Sequence, residues 1–250
     1  MYANPAYQLT RALEQLEARK IIISDNITAA AKVFDKVVAS TPEEPPVTAL
    51  RDAVLAGADP TAVGAALLYQ MGANQLSSAW QQAATEAAYR ALAVIMDERE
   101  TLHAQLKAQA DELIEKLGRL ATIDVPLDTL IREGKTDDAR LLADKELTSG
   151  ELHALYELRD VALIPGTVRS ARAGHVDATR WRNPDVVENH LSGSSITEIY
   201  LSGLRAGGRL WFPTKEQALD AAQPLYSMWQ EEEQKRRQRD AALGGYATFA

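Results

Sequence analysis

Residues 75–121, QLSSAWQQAATEAAYRALAVIMDERETLHAQLKAQADELIEKLGRLA, contain no proline, and their only glycine, Gly118, lies near the far end. Alanine, leucine, glutamine and charged residues fill most of the stretch, a composition that favours helix. Apolar residues at Ala88, Leu92, Ile95, Leu102, Leu106, Leu113, Leu117 and Leu120 keep three- and four-residue steps, with Arg99 and Gln109 interrupting the seam. The spacing predicts one helix over 75–121, roughly 65–70 Å long at about 1.5 Å per residue. A helix of that length needs partners along its flank, so the rest of the chain is read as organised around it.

Upstream, Asn4-Pro5 is a cap followed by proline at the first helical position. Leu9, Leu13, Leu16, Lys20, Ile23, Ile27, Ala30, Phe34 and Val37 then keep four-three spacing, which makes this segment the expected antiparallel partner of the long helix. Three β-branched residues before Ser24-Asp25-Asn26 set an alternative of two helices jointed at Ser24. Pro42, Pro45 and Pro46 cannot continue a helix and predict a turn. A short helix is expected over 47–56, ended by Gly57, and another after Asp59-Pro60, with Gly72-Ala73-Asn74 breaking or bending it.

Downstream, Asp124-Val125-Pro126 and Thr136-Asp137-Asp138 each open a short helix, giving a helical hairpin closed at Gly134. The run 133–139 (EGKTDDA) resembles the turn inside a tetratricopeptide repeat, but a single copy without a second period is a hairpin, not a repeat array. Thr148 with Glu151 forms a capping-box pattern before Leu152, Leu155, Leu158 and Leu163, and Pro165-Gly166 ends that helix. Composition changes there, and a domain boundary is expected between residues 164 and 165. Beyond it, Ser195 with Glu198 and Thr214 with Gln217 predict two further capped helices. The run 209–212 (RLWF) reads as a short strand, Pro224 as an interruption, and Gly244-Gly245 as a stop.

The net charge of −8 disfavours general polyanion binding. It is uneven: −9 over residues 1–164 (16 basic against 25 acidic) and +1 over 165–250 (11 against 10). The absence of cysteine removes disulfides, thiolate nucleophiles and cysteine-based metal sites. The N-terminal residues lack the basic-then-apolar pattern of a signal peptide, no run approaches the length of a membrane span, and a cytoplasmic location is expected.

Chemistry is sparse in the sequence. His103, His153, His175 and His190 have no metal-ligand spacing, and no metal or cofactor is expected. His175 and Asp177 share a glycine-containing loop and form the best acid–base pair, though an ordinary loop hydrogen bond is the favoured account of them. The loop 192–195 (SGSS) has the small residues of an anion cradle but lacks the lysine and glycine spacing of a phosphate loop. Asp124, Asp128, Glu133 and Lys135 are a nuclease-like set on composition alone. The strongest feature is Arg169, Arg172, Arg180 and Arg182 with Trp181 among them, suited to carboxylates of a protein partner or to phosphate and a stacked base. Tyr246 and Phe249, after the Gly-Gly joint, are candidate docking aromatics.

These features predict a mainly α protein: a long-helix antiparallel, coiled-coil-like bundle with a helical-hairpin extension over 1–164, and a smaller, mostly helical module with a short strand or hairpin over 165–250. The expected function is non-enzymatic assembly, scaffolding or adaptor work through contacts with itself or another protein, as in a virion or a large bacterial complex. The alternative is a nucleic-acid-binding or regulatory protein using the Arg169 to Arg182 segment.

Overall fold

The computed structural model describes residues 4–41, 51–52, 55–57, 59–173 and 176–244. Among these the fold is mainly α, with one two-stranded hairpin. Contacts divide the chain into two compact units, Met1–Arg99 and Glu100–Ala250. Residues 164 and 165, where the sequence suggested a boundary, both lie within the second unit.

In the first unit, α1 (Pro5–Ala18) and α2 (Asp25–Ala39) pack against α3 (Pro60–Asp97). The expectation of one N-terminal helix gives way to its two-helix alternative. Lys20 adopts φ +56°, which ends α1, and Ser24 caps α2 by accepting from the Ile27 amide at 3.2 Å. Ser24 also donates to Glu98 at 2.6 Å, and Trp80 Nε1 donates to Ser40 Oγ at 3.2 Å. These two bonds tie opposite ends of α2 to α3 and make the pair antiparallel. Leu9, Ala12, Leu16, Ile27 and Phe34 are buried with Ala87, Ala88, Ala91 and Ile95. Asp59 caps α3 through the Thr61 amide at 2.7 Å, and the helix runs through Gly72-Ala73-Asn74 without a break. The proline turn at 42–46 and most of the helix expected over 47–56 lie outside the described residues. Gly57, at φ +71°, has the left-handed backbone expected of it.

The single helix predicted over 75–121 is two, since α4 (Arg99–Ala121) starts after a one-residue interruption at Glu98 and belongs to the second unit. One apolar seam therefore serves two cores. Before Arg99, Ala88 and Ile95 are buried and Leu92 half-buried in the first, and Leu102, Leu106, Ala110, Leu113, Leu117 and Leu120 are buried in the second.

The second unit continues with α5 (Leu127–Arg132) and α6 (Thr136–Ala143), packed together as the predicted hairpin, and α7 (Lys145–Leu158), which passes into a π turn, Arg159–Leu163. Gly134 turns at φ +70° between the first two, and Arg119 of α4 pairs with Asp138 of α6 at 2.7 Å. The capping box at Thr148 does not form: α7 begins three residues earlier, and the Thr148 hydroxyl donates back to Asp144 O at 3.1 Å. Then follow α8 (Thr167–Ser170), the antiparallel strands β1 (Arg172–Ala173) and β2 (Val176–Asp177), α9 (Pro184–Val187), α10 (Ile196–Arg205) and α11 (Lys215–Gly244). Both predicted caps form. Ser195 and Glu198 make the reciprocal box of α10, and Thr214 with Gln217 exchange bonds of 3.0 and 3.3 Å at α11. The run 209–212 makes one antiparallel bridge, Trp181 to Leu210. Pro224 lies inside α11 without ending it. The first part of α11 sits on α8 and β1 over a core of small side chains, Ala171, Ala178, Ala218 and Ala222.

Candidate functional site

The arginine segment leads inward. The π turn swings Arg159 and Asp160 off the regular α7 register, toward the loop that follows β2. Arg159 is fully buried: Nε and Nη2 donate to Asp160 Oδ1 at 3.0 and 2.6 Å, and Nη1 donates to Thr179 O at 2.8 Å. Its guanidinium stands 4.9 Å from the ring centres of both Tyr156 and Phe212, which cover it with apolar faces. Arg180 continues the chain of charges, donating to Asp160 Oδ2 at 3.3 Å and, through Nη1, to Asp177 Oδ2. Asp177 Oδ1 accepts from the Thr179 amide at 2.8 Å and its hydroxyl at 2.5 Å, and Arg172 approaches the other oxygen at 3.9 Å.

Burial by itself would lower the Arg180 pKa, but Asp177 and Asp160 outweigh it and hold the group above its ordinary value. Burial pushes the Tyr200 hydroxyl up to about 12 and the Tyr156 hydroxyl further still. Tyr156 donates to Trp211 O at 3.0 Å; its ring stacks on Phe212 at 5.8 Å and meets Tyr200 edge-on at 6.3 Å. His153 Nδ1 lies 3.1 Å from the Tyr200 hydroxyl, and burial, then the Arg180 charge, lower the His153 pKa. Both members of this pair are neutral near pH 7. Tyr200 is only 3% exposed.

The network is a structural lock. Its charges are matched one against another and its aromatic lid is packed, so it joins α7 to the β2 loop. A buried hydroxyl pair, Ser149 and Thr197 at 2.5 Å, joins α7 to α10 in the same way, with Thr197 donating to Glu146. Ser149 has a hydroxyl beside it where an activated nucleophile has a base.

The sequence-derived site residues separate accordingly. Arg180 is an internal ion-pair residue. Trp181 is 2% exposed, edge-on to Tyr200, and its ring fills the space left by Gly203 and Gly208, so it is a core residue and not a stacking platform. Arg169, Arg172 and Arg182 are exposed, with Arg182 5.9 Å over the Trp211 ring. Tyr246 and Phe249 lie outside the described residues, as does His175.

In the 192–195 loop the anion position is filled from within. Glu198 Oε2 accepts from the Ser194 amide at 2.6 Å, the Ser194 hydroxyl at 3.1 Å and the Ser195 amide at 3.3 Å, bonds that hold its carboxyl below the usual range. Lys135 pairs with Glu133 at 2.8 Å in the nuclease-like set. Among the described residues no group of three or more His, Asp or Glu side chains is arranged to hold a metal ion.

The lock itself was not read from the sequence. Asp160, directly after Arg159 in an otherwise apolar helix end, and the Asp177–Arg180 spacing were its only signals. No family model, curated protein or solved structure matches the chain.

Proposed function

We propose that the protein is a non-enzymatic assembly or adaptor protein, acting through contacts with itself or another protein in a larger cytoplasmic complex or a particle assembled there. The observation that carries this reading is the first half of α3. No Asp, Glu, Lys, Arg or His occurs from Pro60 to Thr85, and Leu67, Leu68, Met71 and Leu76 are 44, 72, 53 and 51% exposed. Large apolar side chains grouped on an uncharged stretch of helix favour a protein neighbour over solvent. No helix among the described residues is long and apolar enough to cross a membrane.

Light scattering at micromolar concentration tests the self-contact form of the reading. The expected mass exceeds 27.3 kDa and falls in the Leu68→Gln/Leu76→Gln variant with helical content unchanged. Contact with another protein is tested by whether the same variant loses partners retained by the parent in native mass spectrometry from the source cell. Nucleic-acid contact through Arg169, Arg172 and Arg182 is the second reading, supported by their exposure but deprived of Trp181 for stacking. Binding that falls linearly in log–log plots against salt, and is abolished by replacing those three arginines, would favour it instead.

A further inference from the structure

The outer half of α11 has a charge pattern with its own symmetry. Up to Leu225 the helix is anchored, with Ala218, Ala222 and Leu225 buried. From Ser227 to Arg239 every side chain is exposed except Glu233, which is half-buried. A helix that is polar almost all round and exposed on nearly every side among the described residues depends on local ion pairs or on a neighbour. The local pairs are few: among the described residues Arg236 and Arg237 both use Glu233, at 2.8 and 3.3 Å, and Glu231, Glu232, Lys235 and Arg239 make no ion pair.

The order of charges is Glu231, Glu232, Glu233, then Gln234, then Lys235, Arg236, Arg237. Turned end for end about Gln234, this sequence becomes its own opposite in sign. Two copies laid antiparallel about an axis level with Gln234, through the face on which Trp229, Glu232, Arg236 and Arg239 recur at three- and four-residue steps, place each acidic turn beside the other's basic turn, whereas a parallel pair in register sets like against like. The same alignment brings Trp229, 51% exposed, next to Arg239 of the second copy, where a guanidinium can lie over the indole. Met228, 55% exposed, adds apolar surface to be covered. Exposed ion pairs are weak and screened by salt, so the charges fix direction and register while Trp229 and Met228 supply buried area.

We infer that residues 227–239 of α11 pair antiparallel with the same helix of a second copy, about a two-fold axis level with Gln234. The inference rests on the assembly reading but on a different surface from the α3 face that carries it.

Charge reversal in the full-length chain provides the test, with mass measured by light scattering in about 50 mM salt, where screening is weak, and helix content by circular dichroism. The variants E231K/E232K/E233K and K235E/R236E/R237E should each raise the dissociation constant of the self-contact at least about tenfold. Mixing the two in equal amounts should restore association, and a chain carrying all six changes should self-associate like the parent. Direction is read by crosslinking, which is clean because the chain has no cysteine. E232C mixed with R236C, two positions on the Trp229 face that face each other across the axis, should crosslink one to the other, and neither should crosslink to itself. Self-crosslinking of each variant would mean a parallel pair and would overturn the inference. A parent that is monomeric overturns it too, while association with another partner through the α3 face would still uphold the assembly reading. Association that both charge variants leave unchanged places the self-contact elsewhere and overturns this inference alone.

Discussion

The two units of this chain bury different kinds of side chain. In the first, α1 and α2 lie on α3 through leucine, isoleucine, phenylalanine and alanine, and Ser77 is the one buried polar residue among those described. In the second, His103, Arg159, Asp177, Thr179, Ser149 and Thr197 are buried beside the apolar core. Apolar stripes tolerate exchange of one hydrophobic residue for another of similar volume. A buried charge network does not tolerate loss of one partner, because the other is left uncompensated in a medium that solvates it poorly. The first unit is therefore the more plastic of the two and the second the more specific.

The largest test of that contrast is Arg159→Ala. It strands Asp160 and the Thr179 carbonyl and opens the space between Tyr156 and Phe212, for an expected loss of about 3–5 kcal/mol. Hydrogen exchange read segment by segment should show the loss in residues 145–212 and leave 87–95 unchanged. An equal loss in both would break the comparison. Next in size is one substitution made in both units. A Cβ at Gly208 would sit 2.3 Å from Val187 Cγ1 and 2.7 Å from Gly203 O, whereas at Gly72 it would meet nothing within 4 Å. Gly208→Ala should cost about 1–3 kcal/mol through overpacking. Gly72→Ala should stabilise its helix by roughly 0.5–1 kcal/mol. Urea titrations giving the same sign for both would remove the distinction.

The smallest effect comes from His103. Its Nε2 lies 3.0 Å from Pro213 O and its ring 5.2 Å from Phe212; burial lowers its pKa, and the Arg159 and Lys107 charges act in the same direction. The folded state favours neutral imidazole, so its contribution is complete above the ordinary value of 6.5 and is lost as pH falls through that value toward the lowered one. One proton allows a slope of at most about 1.4 kcal/mol per pH unit. His103→Gln should flatten the dependence of the second unit's stability between pH 7 and 5.5. An unchanged slope would assign it to carboxylates instead.

Local rules carried much of this fold in the sequence. Caps at Asn4, Ser24, Asp59, Ser195 and Thr214 and turns at Gly57 and Gly134 follow from side-chain and backbone preferences within a few residues. The seam through Ile95 and Leu102 was legible as helix, but periodicity says only that a face is covered, not by what, so its division between two cores at Arg99 was hidden. The fate of Trp181 was hidden for the same reason. Whether an arginine beside a tryptophan faces solvent depends here on Asp160, some twenty residues upstream, and on Gly203 and Gly208, some twenty-five downstream. No local pattern joins them.

The division at Arg99 also bears on how such a protein is cut. Proteases find the joints between compact units because those joints are commonly exposed, unpaired chain. Here Glu98 alone separates two helices; its amide still donates to Val94 O at 3.2 Å, and its side chain is held by Ser24. A protease must enter an extended strand of substrate into its cleft, and this joint offers helix on both sides. Digestion fragments would therefore misplace the boundary between the two units, and expression of either one alone is better designed from burial than from cleavage sites.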